Sequence, residues 1–328
     1  MRGHHARQPY VAIKILSTHA TQVQGKLANE LNVLQRINTH LKTHSGSKHI
    51  VTLLDNFTIT DHHGPHLCLV FEALGAFHGC VFNPNQKLPV PFVKSIAKQL
   101  LVALDFLHRE CRIVHTGKIV VAYDAVQYKS LPMPKSSTPV TLSHPLISFS
   151  FDDLQNVNGM PPNCEIQLTD FGTATTVDGF HADVIQPNAL RAPEVILGND
   201  WNTSADIWNL GCLLFEFLTG NWLFSPQSGP TWSAEGYHLA HMPVITGDEF
   251  DLEYIRKGKY FDKYFMPEGL LRLRVRTRQN LAAALDTYHV LDGVDKPLCV
   301  DFLKSMLRLK PSDRASAAEL LEHAWITS

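Results

Sequence analysis

The amino-acid sequence predicts an α+β protein with two lobes, a small antiparallel sheet at the amino-terminal end and a larger, mainly helical part after it. Two observations favour this fold class. Residues 1–74 hold three short segments rich in β-branched and aromatic residues, which is typical of strands. After residue 75, apolar residues recur at helical spacing over long stretches. We therefore expect an amino-terminal domain over residues 1–74 and a helical domain over residues 75–328.

Within the first domain the pattern predicts three strands and one helix. Residues 10–16, 49–57 and 66–71 are the predicted strands, and Asp61-His-His-Gly64 predicts a hairpin turn between the second and the third. Between the first two strands, residues 24–37 carry leucine and isoleucine at helical spacing, with Glu30 among them. This segment is predicted to be a helix that lies close to the first strand.

The second domain is predicted to be built from helices. Long apolar helical patterns cover residues 90–108, 205–218 and 315–325. Residues 129–145 hold four prolines, and residues 158–163 read NGMPPN, so both predict loops. We expect residues 129–163 to form a loop insertion in this domain.

Composition excludes several classes of protein. Lysine plus arginine number 29 against 31 acidic residues, a net charge of −2, which argues against bulk electrostatic binding to nucleic acid or to a membrane surface. The 18 histidines are not predicted to form a metal site. Six scattered cysteines without a C-x-x-C pair suit a reducing compartment, and the first residues lack the apolar stretch of a signal peptide. An intracellular location, in the cytoplasm, the nucleus or both, is therefore expected.

A lysine at the end of the first strand is the first candidate site residue. Lys14 closes the motif V-A-I-K, and a strand-end lysine offers a point charge to phosphate oxygens. Glu30 follows on the predicted helix and can hold the lysine in place. Taken alone, this pair could equally be a solvated lysine and a surface glutamate.

The tripeptide Asp170-Phe171-Gly172 is the second candidate. It follows a short predicted strand, and a carboxylate on such a turn can bind Mg²⁺ through its oxygens. It lies far beyond Lys14 in the chain and shortly before Glu194 of the motif A-P-E. That order and spacing match the signature motifs of protein kinases.

The chain resembles the kinases that phosphorylate serine/arginine-rich splicing factors, small fungal relatives in particular. The resemblance covers nearly the whole chain and rests on residues 67–75 (LCLVFEALG), residues 104–116, which end in His115-Thr116, and residues 185–194. It implies the bilobal protein-kinase fold, with ATP and Mg²⁺ as cofactors and serine or threonine of Arg-Ser-rich proteins as substrates.

The resemblance also assigns roles to residues. Phe71 would be the gatekeeper, and Glu72 to Leu74 would bind the adenine. Lys14 would take the phosphates, braced by Glu30, and Asp170 would carry the magnesium ion. Glu194 and Arg314 would form a buried ion pair. The residues with structural roles in this assignment are His115, Phe171, Gly172, Glu194, Asp206 and Arg314.

Three departures from the family pattern concern catalysis. The family has a glycine-rich loop ahead of the lysine, whereas Gly3 is the one glycine before Lys14. The aspartate expected after Thr116 is missing and Lys118 aligns with the family's asparagine, so no catalytic base is predicted to be intact; Asp124 follows the next strand and is a poor substitute. Pro187 stands where better-known members of the family have a threonine.

These departures leave three interpretations open: a serine/threonine kinase, a pseudokinase that keeps the fold as a nucleotide-binding scaffold, and the product of an incomplete coding sequence.

If the substrate is a basic Arg-Ser protein, an acidic groove should receive it. The segment GDEFDLE, which contains Asp248, Glu249, Asp251 and Glu253, is the candidate, with a solvated loop as the alternative.

Overall fold

Three antiparallel strands form the sheet of the amino-terminal part. They are β1 (Val11–Ile15), β2 (Leu53–Asp61) and β3 (Gly64–Glu72), in the spatial order β1-β3-β2. The computed structural model describes residues 11–25, 29–42, 44–76, 87–123, 165–179, 181–275 and 279–328. The predicted insertion at 129–163 lies outside the described residues, as do Gly3, Tyr10, Leu27 and Asp124. The hairpin turn between β2 and β3 is confirmed, with Asp61 paired to Gly64.

The prediction for the second strand was wrong at its start. Residues Ser45–His49 form a turn of 3-10 helix, and β2 begins at Leu53. The buried His49 explains the difference, because its ring Nδ1 lies 3.0 Å from the carbonyl oxygen of Ile166. A contact between segments so distant in the sequence overrides the strand preference of this one, and no local pattern announces it.

The prediction of one helix over residues 24–37 was also wrong at its start. A short helix, α1 (Thr18–Gln22), is capped by the side chain of Ser17, and the main helix, α2 (Glu30–His40), begins later than predicted. The apolar face of α2 is buried through Val33, Leu34 and Ile37. Glu30 lies in the first turn, where a carboxylate is favoured by the helix dipole.

Helices dominate the rest of the described chain. They are α3 (Val90–Asp105), α4 (Pro193–Leu197), α5 (Ser204–Thr219), α6 (Ala234–Thr246), α7 (Leu252–Ile255), α8 (Phe261–Tyr264), α9 (Leu281–Tyr288), α10 (Asp295–Met306), α11 (Ala317–Leu321) and α12 (Ala324–Thr327). The single helix predicted over 315–325 is two helices, because the His323 side chain accepts from the Trp325 N–H and starts α12. None of the helices in the described ranges is long and apolar enough to cross a membrane.

Short strands connect the sheet to the helices. β4 (Gly75–Ala76), β6 (Val120–Tyr123) and β7 (Ile166–Thr169) form one small sheet in the order β4-β6-β7. β5 (Ile113–Val114) pairs with β8 (Thr175–Thr176). The residue after β5 contacts the end of β7, since His115 Nε2 lies 2.9 Å from the carbonyl oxygen of Thr169. The architecture is the predicted one, a small antiparallel sheet region followed by a mainly helical part.

Helix α5 lies at the centre of the core. Every residue from Ala205 to Thr219 is buried. Beside it, Arg314 Nη1 and Nη2 donate to the two oxygens of Glu194 at 2.6 and 2.7 Å, and both side chains are fully excluded from solvent. The Arg314 guanidinium also lies over the Trp208 ring at 5.1 Å. The bidentate geometry satisfies two charges that would each be costly to bury alone.

Replacing Glu194 with glutamine should therefore destabilise the fold strongly. The variant leaves the Arg314 charge buried without a counter-charge, a loss of roughly 3–5 kcal/mol in the free energy of unfolding. Urea denaturation followed by circular dichroism measures it. The matched control is Asp178→Asn, which removes the exposed partner of Arg112 at 3.0 Å and should cost under about 1 kcal/mol. Equal losses in the two variants would contradict the role of the buried pair.

A buried histidine on α6 predicts a pH dependence of stability. His238 is 1% exposed, and neither ring nitrogen has a hydrogen-bond partner among the described residues. Burial, with Arg191 nearby, lowers its pKa to about 3 from the ordinary 6.5. The folded protein keeps this imidazole neutral, whereas the unfolded chain takes up a proton below pH 6.5. Stability is thus fully present above pH 6.5 and is lost as the pH falls toward 3.

Between pH 7.5 and pH 5 this group should remove about 2 kcal/mol from the free energy of unfolding. Urea denaturation at the two pH values measures the difference. In His238→Phe the drop should be smaller by that amount, whatever the stability of the variant at pH 7.5. An unchanged drop would show that His238 is not kept neutral in the folded state.

Candidate active site

A cleft of about 350 Å³ lies between the amino-terminal sheet and the turn that follows β7. Strand β1, helix α2 and the end of β7 contribute most of its wall. The residues that line it are Ala12, Ile13, Lys14, Glu30, Leu34, Val51, Phe71, Thr169, Asp170 and Phe171. Of these described lining residues, Lys14 supplies the positive charge and Glu30 and Asp170 supply the carboxylates, so the charged groups of the cleft are concentrated at one end.

The structure brings Lys14, Glu30 and Asp170 together. Lys14 Nζ donates to Glu30 Oε1 at 2.7 Å and lies 3.6 Å from Asp170 Oδ1. The Glu30 side chain is 5% exposed, whereas those of Lys14 and Asp170 are 40% and 59% exposed. A buried carboxylate thus positions a lysine whose ammonium still faces the open cleft, with a second carboxylate accessible to an incoming cation.

The turn after β7 fixes the position of Asp170. Its φ of 64° places a residue other than glycine in the left-handed region, which costs energy and is common at functional sites. Phe171 is buried beside it and contacts the His115 ring edge-on, with 5.1 Å between centroids. At Gly172, a Cβ would lie 3.5 Å from both Lys14 Nζ and Asp170 Oδ1. Asp170 thus presents an exposed carboxylate, and Phe171 anchors the turn in the core.

A buried carboxylate holds the segment that approaches the cleft from β5. Asp206 accepts the backbone N–H groups of His115 at 2.8 Å and Thr116 at 3.0 Å, and His108 Nε2 lies 2.9 Å from it. Burial alone would raise the pKa of Asp206, but the hydrogen bond and charge of His108 and the N–H of His115 hold it below its ordinary value. Asp206 therefore stays ionised and fixes the backbone of 115–116.

Thr116 is held from the other side as well. Its φ of 62° is unfavourable for a β-branched residue. Its hydroxyl donates to the carbonyl of Thr173 at 2.6 Å, and its own carbonyl accepts the N–H of Gln186 at 3.0 Å. The Gln186 side chain is buried and bonds the backbone of Ala192 and Ala205. Residue 116 is consequently tied to both ends of the segment that runs from 173 to 186.

A short connection, Gly117-Lys118-Ile119, joins Thr116 to β6. None of its residues carries a carboxylate. The carbonyl of Gly117 accepts from Asn209 Nδ2 at 3.2 Å, Lys118 is partly buried and Ile119 is fully buried. This connection is therefore anchored at its start and at its end.

The predicted gatekeeper, Phe71, lies at the cleft, and the residues predicted to bind adenine follow it in the chain. Phe71 lines it, while Glu72 ends β3 opposite Val11, and Leu74 packs partly buried against the core. Glu72 and Leu74 are not among the described residues that line the cavity. The structure therefore places them adjacent to the cleft and leaves their contact with a ligand as a prediction.

Two carboxylates of the acidic segment, Asp248 and Asp251, already contact neighbouring residues. Asp248 lies 3.1 Å from Arg308 Nε and accepts the N–H of Leu309 at 3.0 Å. Asp251 accepts from Lys310 Nζ at 3.0 Å, which is the main cause that lowers its pKa, and it caps α7. Glu249 and Glu253 are exposed. Two of the four carboxylates thus stabilise the segment that follows α10 instead of facing solvent freely.

Sequence reasoning missed two residues that shape the site. His108 was treated as the end of a helix, and Gln186 as part of a loop. Their partners, Asp206 and Thr116, lie in distant parts of the sequence, so no local pattern could reveal them. Asp206 was predicted to be structural, but its hold on the backbone of 115–116 was not foreseen.

The donor set of the cleft fits the cofactors of a phosphoryl-transfer enzyme. Mg²⁺ in such sites is bound by one or two carboxylates together with substrate phosphates, and Asp170 presents an accessible carboxylate. Lys14 offers the positive charge for phosphate oxygens, 3.6 Å from that carboxylate. These two residues, with Glu30 behind Lys14, are the ones that could hold a nucleotide and its metal.

Comparison with known proteins agrees with this geometry. The protein kinase domain family matches residues 147–326, more than half of the chain. A serine/threonine protein kinase of Aspergillus fumigatus is 31% identical over 97% of this chain and 78% of its own length. The serine/threonine-protein kinase SRPK of Physarum polycephalum is 30% identical over 96% and 79%, and the protein kinase dsk1 of Schizosaccharomyces pombe is 28% identical over 96% and 75%. The chain therefore belongs to the protein kinase family, as a serine/threonine kinase related to the SR-protein kinases.

Proposed function

We propose that the cleft around Lys14 binds ATP with Mg²⁺. Protein kinases in general use these two cofactors, and they act on protein substrates. The observation that supports the assignment is that carboxylate oxygens of both Glu30 and Asp170 lie within 3.6 Å of Lys14 Nζ. The three residues come from β1, from α2 and from the turn after β7. In this proposal Lys14 holds phosphate oxygens, Glu30 fixes the lysine, and Asp170 holds the metal.

Phosphoryl transfer needs positioning and charge stabilisation more than it needs covalent participation by the protein. Bound Mg²⁺ would supply neutralisation of phosphate charge. The chain itself supplies a fixed ammonium at residue 14, an accessible carboxylate at residue 170 and a rigid backbone at 115–116. Residues 115–119 lack a carboxylate, so the segment has no aspartate to accept the proton of an attacking hydroxyl.

We propose that the missing carboxylate slows phosphoryl transfer without removing nucleotide binding. A general base contributes roughly 10²–10⁴-fold to a rate, so the reaction should run slower by about that factor. The second candidate function, a nucleotide-binding scaffold without transfer, is favoured by the same short connection at residues 117–119. The two candidates share the binding step and differ in the chemical step.

We further propose Arg-Ser-rich proteins as substrates and the cytoplasm or the nucleus as the location. The resemblance of residues 67–75, 104–116 and 185–194 to the SR-protein kinases supports the substrate class. Of the acidic segment, the exposed Glu249 and Glu253 are the carboxylates that remain available to substrate arginines. Asp248 and Asp251 contribute less, because each already contacts a cation.

Replacing Lys14 with alanine should weaken nucleotide binding, because it removes the cation that faces the phosphates. Isothermal titration with ATP and Mg²⁺ measures the dissociation constant, and we expect a loss of at least about tenfold. Lys48→Ala is the control, since Lys48 is exposed and pairs with Glu165 outside the cleft. Equal affinity in the Lys14 and Lys48 variants would overturn the proposed binding site.

Restoring a carboxylate after Thr116 should raise the transfer rate. In Gly117→Asp the new Cβ would lie 3.1 Å from Thr173 Oγ1, a tight contact with a side chain that can shift. We expect an increase of about 10²-fold in phosphate transferred from labelled ATP to an Arg-Ser repeat peptide. Gly117→Asn, of the same shape but without a base, is the matched control.

The parent chain and Lys14→Ala complete this assay. Transfer that is slow in the parent, absent in Lys14→Ala and faster only in Gly117→Asp supports the kinase function. Nucleotide binding with no transfer in any variant would favour the scaffold instead. A Gly-Ser repeat peptide, phosphorylated as fast as the Arg-Ser peptide, would contradict the proposed substrate class alone.

A further inference from the structure

Asn209 is a polar residue in the buried helix α5. Its exposed fraction is 0%, and its neighbours in the chain, Trp208 and Leu210, are apolar and equally buried. Its Nδ2 donates to the carbonyl of Gly117 at 3.2 Å, whereas its Oδ1 has no hydrogen-bond partner among the described residues. The side chain thus makes one hydrogen bond and leaves one buried acceptor unpaired.

This arrangement is unfavourable for stability. The penalty for an unpaired acceptor in a protein interior is at least as large as the net gain from one ordinary hydrogen bond. An apolar side chain of similar shape at position 209 would avoid that penalty. Gly117 is only half-buried, so its carbonyl depends less on a protein donor than a fully buried carbonyl does. The stability of the fold therefore does not account for an asparagine at this position.

Asn209 acts on the same segment as Asp206. The two residues lie one helical turn apart, so their side chains project from one face of α5. Asp206 accepts the N–H groups of His115 and Thr116, and Asn209 donates to the carbonyl of Gly117. One face of one helix therefore holds three consecutive residues by their backbone.

These three residues form a strained turn. The N–H of Gly117 donates to the carbonyl of His115 at 2.7 Å, and Thr116 between them has a φ of 62°. A three-residue turn with a positive φ at its centre is rare and strained, so it persists only where its surroundings hold it. Asp206 holds the first two residues of this turn, and Asn209 holds the third.

Position 117 faces the turn that carries Asp170. A Cβ added to Gly117 would lie 3.1 Å from Thr173 Oγ1 and 3.4 Å from His115 Cε1. Thr173 directly follows the tripeptide of residues 170–172, whose carboxylate is proposed to hold Mg²⁺. The backbone direction at 117 therefore sets how the segment 115–117 approaches the metal side of the cleft.

We propose that Asn209 is a positioning residue for phosphoryl transfer, which fixes the segment 115–117 against the metal side of the cleft by holding the Gly117 carbonyl. This inference rests on the transfer function proposed above. Asn209 touches neither the nucleotide nor the substrate in this role, because it acts through the backbone of residue 117. It should therefore affect the rate of transfer and leave nucleotide binding at Lys14 and Asp170 as it is.

The variant Asn209→Leu separates this role from a structural one. It removes the donor together with the unpaired acceptor, so the urea midpoint of unfolding should be unchanged or higher. The turnover number for transfer to an Arg-Ser repeat peptide should fall at least about tenfold, because a small misplacement of a positioning segment slows a reaction. The KM for ATP should stay unchanged, since the cleft residues keep their contacts. Asn209→Ala, which adds no volume, should show the same loss of turnover.

Thr219→Val is the matched control on the same helix. Thr219 is also fully buried, but its hydroxyl contacts the backbone of Phe215 and Asn221, at the opposite end of α5 from residues 115–117. This variant should lower the urea midpoint, because the N–H of Asn221 loses its acceptor, and it should transfer phosphate as fast as the parent. The two variants should thus show opposite patterns of stability and turnover.

The Gly117→Asp chain gives a second background in which transfer is faster. Asn209→Leu combined with Gly117→Asp should remove at least about tenfold of the rate that the restored carboxylate adds, because the backbone that directs this carboxylate is no longer held. Thr219→Val combined with Gly117→Asp should keep the whole gain.

Turnover in Asn209→Leu and Asn209→Ala that equals the parent in both backgrounds would overturn the role of Asn209 and leave the transfer function standing. A loss of turnover that accompanies an equal loss in Thr219→Val would overturn it as well, because it would follow stability alone. Absence of transfer from every chain, Gly117→Asp included, would remove the transfer function and this role together. Titration with ATP and Mg²⁺ would then decide separately on nucleotide binding.

Discussion

The carboxylate of Asp206 is the group on which the rest of the site depends. It is enclosed by the helical core and accepts two successive backbone N–H groups from residues 115 and 116, with His108 alongside. Without these bonds, two buried donors would lose their partners, and the unfavourable backbone angle of Thr116 would lose part of its support. The Thr116 carbonyl in turn accepts from the Gln186 N–H, and the Thr116 hydroxyl donates to Thr173, so one buried charge helps to fix the positions of residues 116, 173 and 186.

The convergence at the cleft was predictable because its members lie in short motifs at characteristic separations. Lys14 and Asp170 were expected to face one phosphate site, and the structure brings them within 3.6 Å. The α+β architecture also followed from the periodicity of the apolar residues. These features are encoded locally, by strand propensity around Lys14 and by helical spacing in Leu31, Leu34 and Ile37.

What could not be predicted is set by contacts between distant segments. The 3-10 turn at Ser45–His49 exists because His49 bonds to the backbone of β7, and α2 begins late, at Glu30. α11 and α12 are separate helices because His323 caps α12. The sequence pattern around His323 is equally compatible with a position inside one helix. Gln186 reads as one polar residue in a loop, and only the fold gives its backbone and side chain three buried partners.

The partial exposure of the cleft has a consequence for the strength of its ion pair. The side chains of Lys14 and Asp170 are 40% and 59% exposed, so water reaches both charged groups. Water raises the effective dielectric around two charges and weakens their attraction. The Lys14 ammonium can therefore exchange from Asp170 to an arriving anion instead of remaining bound to that carboxylate.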